Sequence, residues 1–251
     1  MIFFDAHVHL YPEYDRDRLL DAFAANAGKL APNAGQLALA LMLREGQGTL
    51  AALIQATDRP GCRWRLVRQL GSGACLMGDG ATEVFVFAAR QVAARERVEL
   101  LGLFSESNVP DGLPLRETYD RLRDAGALPV LAWGLGKWLF KRASVLRGLI
   151  EAADAPADLL IGDTAMRPTF WGLPRLMAVA RSRGLRFVYG SDPLPRPGEE
   201  NVAGGYASLI AGELPTSDPV PSLRRLLIDH AVTITPVGRR HGPWATLQRI
   251  R

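Results

Sequence analysis

Two histidines separated by a single residue end the first apolar run of the chain. That run begins with Ile2-Phe3-Phe4 and continues as Asp5-Ala6-His7-Val8-His9. A short apolar run of this kind is typical of a buried β-strand. Because side chains alternate along a strand, His7 and His9 are expected on one face, about 7 Å apart along the backbone. Two imidazoles in that arrangement can bind one metal ion.

The alternative is that the two histidines merely end the strand. We favour a functional role, because a buried strand rarely carries Asp5, His7 and His9 on one face without one. Asp5 is expected either to orient an imidazole through a hydrogen bond or to bond to the backbone, and we favour the backbone role.

A carboxylate with a similar placement follows an apolar strand late in the chain, in Gly190-Ser191-Asp192. Asp192 can bind a metal ion or accept a proton from a metal-bound water; alternatively, it caps the turn that follows. We expect His7, His9 and Asp192 together to bind one divalent ion, either zinc, manganese or iron. Three protein ligands and one water are the usual arrangement of catalytic zinc.

Two further strand ends carry charged side chains. Asp163 follows an apolar strand and is a candidate catalytic residue, as an additional metal ligand or a general base. Arg167, four residues later, is a candidate for binding an anionic substrate. The alternative is that Asp163 caps a turn and pairs with Arg167. Glu106 is a second candidate for the additional metal ligand.

The segment Trp133-Gly134-Leu135-Gly136-Lys137-Trp138 directly follows another predicted strand. Its glycines permit a close approach of the backbone to a ligand. Lys137 is a candidate catalytic residue that contacts a phosphate or carboxylate, and Trp133 is a candidate for lining the substrate pocket. The alternative is a tight turn with the tryptophans in the core and the Lys137 stem along the surface. Arg90 is a further candidate for substrate binding, or else a solvated residue.

The composition limits the class of protein. The 251 residues are 48% hydrophobic, which suits a single domain over residues 1–251. The net charge of +4 is mild, and no run of five or six like charges occurs. We therefore expect a small anionic substrate and no nucleic-acid partner. No apolar segment is long enough to cross a bilayer, so no membrane partner is expected.

The remaining cysteines and histidines suggest no second site. Cys62 and Cys75 match no zinc-binding pattern. They can pair in an oxidising compartment, but we favour free thiols in a reducing cytoplasm. The start of the chain lacks a basic region followed by a long apolar stretch, so the protein is predicted to be cytoplasmic. His241 is expected at the surface, and His230, which precedes an apolar run, is a candidate core residue.

Apolar runs and helical patterns alternate from residue 98 to residue 228, which predicts βαβ units and a mostly parallel sheet. We expect an α/β fold, a distorted TIM-like (β/α)7 or (β/α)8 barrel. Glycine-rich breaks at residues 71–73 and 78–80 predict a small antiparallel elaboration near residues 63–88. Residues 193–205 are predicted to form a long loop. Functional residues of such a barrel lie where strands end and helices begin, and a strand over residues 98–104 places Ser105 and Glu106 there.

In order along the chain, these motifs resemble those of the polymerase and histidinol phosphatase (PHP) superfamily of metal-dependent phosphoesterases. The segment from Asp5 to His9 is similar to the opening His-x-His motif, and Gly190-Ser191-Asp192 is similar to the late Gly-Ser-Asp motif. Weaker similarity covers residues 89–103 and 122–132. The resemblance implies a barrel, divalent metal ions and phosphoester hydrolysis, with His7, His9 and Asp192 as metal ligands.

Two positions depart from the pattern of the superfamily. A metal-bridging glutamate falls on Gln91 and a histidine falls on Trp133, and no histidine closely follows Asp192. The resemblance therefore implies a degenerate site with fewer ligands than the typical trinuclear one. The related amidohydrolase superfamily, which also opens with His-x-His and ends with an aspartate after a strand, is the alternative.

The sequence thus supports three hypotheses on function. The first is a metal-dependent hydrolase that attacks a phosphoester with metal-activated water. The second is a non-catalytic PHP-like relative that binds a ligand or a protein. The third is an amidohydrolase-like enzyme that acts on a C–O or C–N bond. His7 and His9 favour metal binding, whereas Gln91 and Trp133 favour the loss of phosphatase activity.

Overall fold

The computed structural model describes residues 1–43, 48–106, 108–138, 141–152 and 159–242, together with Trp244, Thr246 and Arg249. Within these residues the strands are β1 (Ile2–Leu10), β2 (Gln36–Leu43), β3 (Arg65–Gln69), β4 (Ala74–Gly78), β5 (Glu83–Ala93), β6 (Glu99–Leu103), β7 (Leu128–Ala132), β8 (Leu160–Thr164), β9 (Phe187–Gly190), β10 (Tyr206–Ile210) and β11 (Ile234–Gly238). The helices are α1 (Arg16–Leu30), α2 (Thr49–Thr57), α3 (Leu115–Asp124), α4 (Lys141–Glu151), α5 (Arg175–Ser182) and α6 (Pro219–Ile228).

One curled sheet forms the centre of the molecule, with the strand order β11-β10-β1-β2-β5-β6-β7-β8-β9. It curls until the end of β9 lies against β1, where the amide of Asp192 donates a 2.9 Å hydrogen bond to the carbonyl of His7. The result is a nearly closed barrel within a mixed α/β fold. This confirms the predicted distorted barrel.

Apolar side chains fill both the barrel and the space beneath its helices. The interior core takes residues from every strand between β1 and β9 on the sheet path. Two outer clusters lie under the helices, one against α1 and α2 and the other against α3, α4 and α5. Leu223 and Leu227 of α6 join the interior core, and Arg224 donates to the carbonyl of Gly126, which precedes β7. Helix α6 therefore covers the end opposite the barrel mouth, which we define as the carboxyl ends of the parallel strands.

Strand β6 runs antiparallel to both of its neighbours, β5 and β7. The sequence pattern predicted a mostly parallel sheet here. Because β5 continues to Ala93, residues 94–98 alone connect it to β6, whereas a parallel crossover needs about a dozen residues or more. The first residue of β6, Glu99, pairs with Ala132 at the end of β7 and so lies near the mouth.

The direction of β6 also corrects the expected positions of Ser105 and Glu106. Both follow the end of β6 whose last residue, Leu103, pairs with the first residue of β7. The hydroxyl of Ser105 contacts the carbonyl of Ala125, and the Glu106 carboxylate accepts the amide of Leu50 in the first turn of α2. The prediction that these side chains lie at the mouth, with Glu106 as an additional metal ligand, is therefore wrong.

The remaining strands extend the barrel on two sides. β3 and β4 form an antiparallel hairpin on the first half of β5, as predicted for residues 63–88. β10 pairs antiparallel with the start of β1, and β11 pairs with β10; neither strand was predicted. Residues 193–205 lie between β9 and β10 and contain one short 3-10 turn, Glu199–Val202. Among the described helices, none has the length and apolar character required to cross a membrane.

Glycine is required where β9 approaches β1. A Cβ atom added to Gly190 would lie 2.5 Å from the Cβ atom of His7 and 2.7 Å from its amide nitrogen. Packed carbon atoms lie about 3.5–4.0 Å apart at their optimal separation. The barrel can close at this point because Gly190 has no side chain.

We predict that Gly190→Ala lowers the free energy of unfolding by about 1–3 kcal/mol, as expected for overpacking a tight interior. Gly28→Ala in α1 is the matched control, since its Cβ atom meets nothing within 4 Å and alanine stabilises a helix by roughly 0.5–1 kcal/mol relative to glycine. Urea unfolding followed by circular dichroism measures both variants. Equal stabilities would contradict the close approach of β9 to β1.

Candidate metal centre

A β-bulge in β1 interrupts its alternation just before the first histidine. In the register with β2, Asp5 lies opposite Leu39, whereas Val8 lies opposite Leu41. Three residue steps on β1 therefore match two on β2, which means that β1 contains one extra residue. Such a bulge redirects the side chains that follow it.

The bulge turns both histidines toward the barrel interior. Ala6 belongs to the interior core, while Val8 and Leu10 pack in the outer cluster under α1 and α2. His7 and His9 alternate with Val8 and Leu10 and therefore lie on the interior face at the mouth. Both imidazoles are buried.

Asp5 lies on the other face of β1, so the expectation that it shares a face with the histidines is wrong. Its fully buried carboxylate accepts hydrogen bonds from the amides of His7 (3.1 Å), Ser191 (3.0 Å) and Gly204 (2.8 Å) and from the Ser191 hydroxyl (2.6 Å). Burial raises the pKa of Asp5 to about 6, although the hydrogen bonds act to lower it. These partners give Asp5 the backbone role, which holds three chain segments together.

Each residue of the Gly-Ser-Asp segment contacts β1. Gly190 leaves space for His7, Ser191 donates twice to Asp5, and the amide of Asp192 donates to the His7 carbonyl. Asp192 has a φ of 52°, in the left-handed region that aspartate adopts more readily than most residues. This turn brings the Asp192 carboxylate to the histidine pair.

Three ligand atoms converge at the mouth. Nε2 of His7 lies 3.0 Å from Nε2 of His9 and 3.5 Å from Oδ1 of Asp192, and the three residues offer ligand atoms within 4.8 Å of one another. Ligands bound to one tetrahedral ion at about 2.0–2.2 Å are separated by roughly 3.3–3.6 Å. These spacings fit one metal ion, so this group could hold a metal.

The second nitrogen of each imidazole, Nδ1, is not the atom that faces the other histidine or Asp192. Nδ1 of His7 and Nδ1 of His9 are buried and have no hydrogen-bond partner among the described residues, which is unusual for buried polar atoms. Burial, together with the neighbouring His7, lowers the pKa of His9 to about 3. His9 is therefore neutral at physiological pH, and the neutral imidazole is the form that binds metals.

Polar side chains from two other strand ends surround His9. Gln91, near the end of β5, acts to raise the pKa of His9, and the positive charge of Lys137 acts to lower it. Lys137 pairs with Glu99. Sequence reasoning missed Glu99 because β6 was assigned the wrong direction, and the signal that could have revealed it is the short connection from β5.

Asp163 and Arg167 form a buried ion pair with each other. Nε and Nη2 of Arg167 donate hydrogen bonds to Oδ1 (2.7 Å) and Oδ2 (2.6 Å) of Asp163. The Tyr206 hydroxyl lies 3.1 Å from Oδ2 of Asp163. Nη1 of Arg167 also donates to the carbonyls of Trp171 (2.7 Å) and Gly172 (2.9 Å). The pair thus holds the loop that follows β8, in agreement with the alternative in which Asp163 pairs with Arg167.

The two other candidate substrate-binding residues lie apart from each other. Nη2 of Arg90 lies 3.2 Å from the carbonyl of Val109, in the segment before α3. Trp133 is buried at the end of β7, and its ring packs edge-to-face against Trp171 with the ring centroids 6.0 Å apart. Trp133 therefore lines a space between β7 and the loop after β8.

His241 and Arg249, late in the chain, lie at the same mouth, which the sequence did not predict. Arg249 pairs with Glu199 and donates to the carbonyl of Asp192 (3.2 Å). Burial lowers the pKa of His241 to about 4, although the nearby carboxylates Glu199 and Asp192 act to raise it. His241 is therefore partly buried near Asp192, and His230 is exposed, the reverse of the expected placement. These contacts join residues far apart in the chain, and no local motif marks them.

No protein-family model matches the sequence, and no curated protein is detectably similar to it. Solved structures with a similar fold do exist. PsfC from Pseudomonas syringae PB-5123 is 13% identical, with a TM-score of 0.55 over 99% of this chain and 94% of PsfC. The lesion-specific endonuclease PfuEndoQ from Pyrococcus furiosus is 12% identical, with a TM-score of 0.50 over 92% of this chain and 57% of the endonuclease. At these identities the likeness concerns the fold.

The comparisons bear on two expectations. The similar folds agree with the barrel that the sequence motifs imply, and membership of the PHP superfamily stays a prediction. The expectation of a small anionic substrate and no nucleic-acid partner is contradicted, because a lesion-specific endonuclease uses this fold. The mild, scattered charge of the sequence was the reason for that expectation, and a mild net charge does not by itself exclude a nucleic-acid partner.

We predict that Asp5→Ala lowers the free energy of unfolding by at least about 3 kcal/mol, because it leaves buried backbone donors without an acceptor. Asp15→Ala is the matched control. Asp15 is exposed and accepts one amide at the start of α1, and loss of such a cap costs about 1 kcal/mol. Urea unfolding measures both, and similar costs would contradict the central role of Asp5.

A milder variant keeps this test informative when Asp5→Ala does not fold. Ser191→Ala removes one of the four hydrogen bonds to Asp5 and leaves the carboxylate in place. We expect it to fold and to lose about 0.5–1.5 kcal/mol of stability.

Proposed function

We propose that the protein is a metal-dependent hydrolase of phosphoester bonds and a degenerate relative of the PHP superfamily. The convergence of His7, His9 and Asp192 on one point at the barrel mouth carries this proposal. A divalent ion, which we expect to be zinc, manganese or iron, supplies a water of lowered pKa and a charge that polarises a phosphoryl oxygen when it is bound there.

Hydrogen bonds within the protein hold the ligand atoms of this site in position. His7 and His9 present imidazole nitrogens, and Asp192 adds one negative charge and is the nearest candidate to accept a proton. Asp5 and Ser191 fix the backbone of both ligand-bearing segments. Ligand atoms held in this way need little rearrangement on binding, which favours a tight site.

Lys137 is the candidate for contacting the phosphoryl group. Its ammonium group lies close enough to His9 to affect its pKa, and it is oriented by Glu99. A fixed positive charge stabilises the negative charge that develops during phosphoryl transfer. Asp163 is already bonded to Arg167 and Tyr206, so we assign it to positioning the loop after β8 rather than to proton transfer.

Phosphodiesters of nucleic acid are the first substrates to test. The Pyrococcus furiosus protein that shares this fold is a lesion-specific endonuclease. The sequence pI of about 9.4 and the net charge of +4 favour the approach of a polyanion. This chain spans little more than half of that endonuclease, so the substrate of this chain must be established directly.

A non-catalytic binding protein is the second candidate function. Gln91 lies near His9, at the position where the PHP superfamily has a metal-bridging glutamate. An amide bears no charge and binds divalent ions less strongly than a carboxylate, which favours a site with fewer ions. A protein that binds metal yet hydrolyses neither phosphoesters, lactones nor amides would have this function. Turnover of lactones or amides alone would indicate the amidohydrolase-like alternative instead.

We predict that the protein binds about one zinc or manganese ion per chain, and that the His7→Ala/His9→Ala double variant binds none. His230→Ala is the matched control, because His230 is exposed. Elemental analysis by mass spectrometry after reloading and gel filtration measures the metal content. An absence of metal from the unmodified protein would refute the proposed hydrolase.

We predict that Lys137→Met lowers kcat for phosphodiester hydrolysis by about 10–1000-fold while the metal content stays the same, because the variant loses a charge that stabilises the transition state. Lys29→Met is the matched control, since Lys29 is exposed in the last turn of α1. Steady-state kinetics on a fluorogenic phosphodiester measures the effect. Equal kcat values for the two variants would show that Lys137 does not contact the reacting group.

A further inference from the structure

A cavity of about 270 Å³ opens between the turn after β7, helix α4 and the loop after β8. Three tryptophans line it, the largely buried Trp133 and Trp138 and the half-buried Trp171, together with Arg147 and Arg175. We call this cavity the tryptophan pocket. Ligand sites are usually apolar cavities with a few polar groups, and this volume, near the lower end of their range, suits one flat ring system.

The walls of the tryptophan pocket are held in place without a ligand. Nε1 of Trp138 donates to the carbonyl of Ala132 (3.0 Å). The Trp171 carbonyl accepts hydrogen bonds from Arg167 (2.7 Å) and Arg240 (3.0 Å). The buried Asp163–Arg167 pair therefore has a consequence beyond the barrel, because it fixes one aromatic wall. A preformed aromatic slot loses little entropy when a ring enters it.

A single turn joins the tryptophan pocket to the metal centre. Gly134 and Gly136 line the pocket, and the next residue, Lys137, pairs with Glu99 near His9. A Cβ atom added to Gly134 would lie 2.7 Å from Cδ of Lys137, so the lysine stem lies directly on this turn. A molecule whose ring occupies the pocket can therefore extend past Lys137 toward the histidines.

The charges at the edge indicate the polarity of the occupant. Arg147 pairs with Glu151 (2.7 Å). Arg175 is exposed and has no hydrogen bond or ion pair within the described part of the chain. An indole-lined slot with a free guanidinium favours a flat ring that is attached to an anionic group, because indoles stack on rings and arginine binds phosphate oxygens.

We propose that the tryptophan pocket binds the aromatic ring of the substrate, a planar ring joined to the phosphoester that reaches the metal centre. This substrate class rests on the proposed hydrolase function, while ring binding itself does not require the metal. The ring is either a nucleobase or a simple aryl group, since both offer the same stacking surface. Stacking on aromatic side chains does not depend on base identity.

Isothermal titration calorimetry on chelator-treated protein tests this proposal with three probes: adenosine 5′-monophosphate, phenyl phosphate and ribose 5-phosphate. We expect at least one of the two ring-bearing probes to bind about tenfold more tightly than ribose 5-phosphate, which has the same charged group and no aromatic ring. Tighter binding of adenosine 5′-monophosphate identifies a nucleobase site, and tighter binding of phenyl phosphate identifies an aryl site. Equal binding of all three probes would overturn the proposal.

Variants locate the binding in the pocket. Trp171→Ala should weaken the binding of the ring-bearing probe about tenfold and leave the binding of ribose 5-phosphate unchanged. Trp171→Phe should retain most of the affinity for the ring-bearing probe. Trp244→Ala is the matched control, because Trp244 is 79% exposed. Ala143→Phe fills the pocket from α4 without removing an indole and should also block the ring. Unchanged ring binding in both Trp171→Ala and Ala143→Phe would refute the assignment.

The same titration separates this proposal from the proposed function. The His7→Ala/His9→Ala variant should keep the preference of the unmodified protein for the ring-bearing probe over ribose 5-phosphate. If the protein holds no metal yet binds the ring, the hydrolase is refuted and the ring site stands. If it holds metal and hydrolyses phosphodiesters but shows no preference for a ring, the ring site alone is refuted.

Discussion

The buried carboxylate of Asp5 is the interaction on which the rest of the structure depends. Its four donors come from β1 itself, from Ser191 after β9 and from Gly204 before β10. A carboxylate removed from water is tolerated only when hydrogen-bond donors surround it. The chain can therefore bury Asp5 only if both β9 and β10 come to β1. The contacts that close the barrel therefore also supply the hydrogen-bond donors that the Asp5 carboxylate needs.

That closure also builds the candidate metal centre. The bulge in β1 points His7 and His9 inward while Asp5 bonds on the other side, and the turn that places Ser191 on Asp5 brings Asp192 to His7. Nε2 of both histidines and Oδ1 of Asp192 converge there, and a cation bound at this point would contact all three. Fold stability and metal binding therefore depend on the same few residues, so a substitution that opens the barrel should also weaken the metal site.

Much of this arrangement could be predicted from the sequence, because apolar periodicity and strand-end positions are local features. They were sufficient for the barrel, the β3–β4 hairpin and the grouping of His7, His9 and Asp192. The direction of β6 was missed because its sequence pattern is the same in either direction, and only the length of the connection distinguishes them. The orientation of Asp5 depends on a bulge, and the position of His241 depends on contacts between distant segments. Neither leaves a local signal.

X-ray absorption at the zinc edge of the zinc-loaded protein is the most direct test of a metal centre built by barrel closure. We predict a first shell of nitrogen and oxygen at about 2.0–2.1 Å, with the outer-shell scattering of two imidazole rings, and loss of the imidazole signal in the His7→Ala/His9→Ala variant. Sulfur at about 2.3 Å, or zinc bound equally in the variant, would place the metal elsewhere and contradict the assignment of His7, His9 and Asp192.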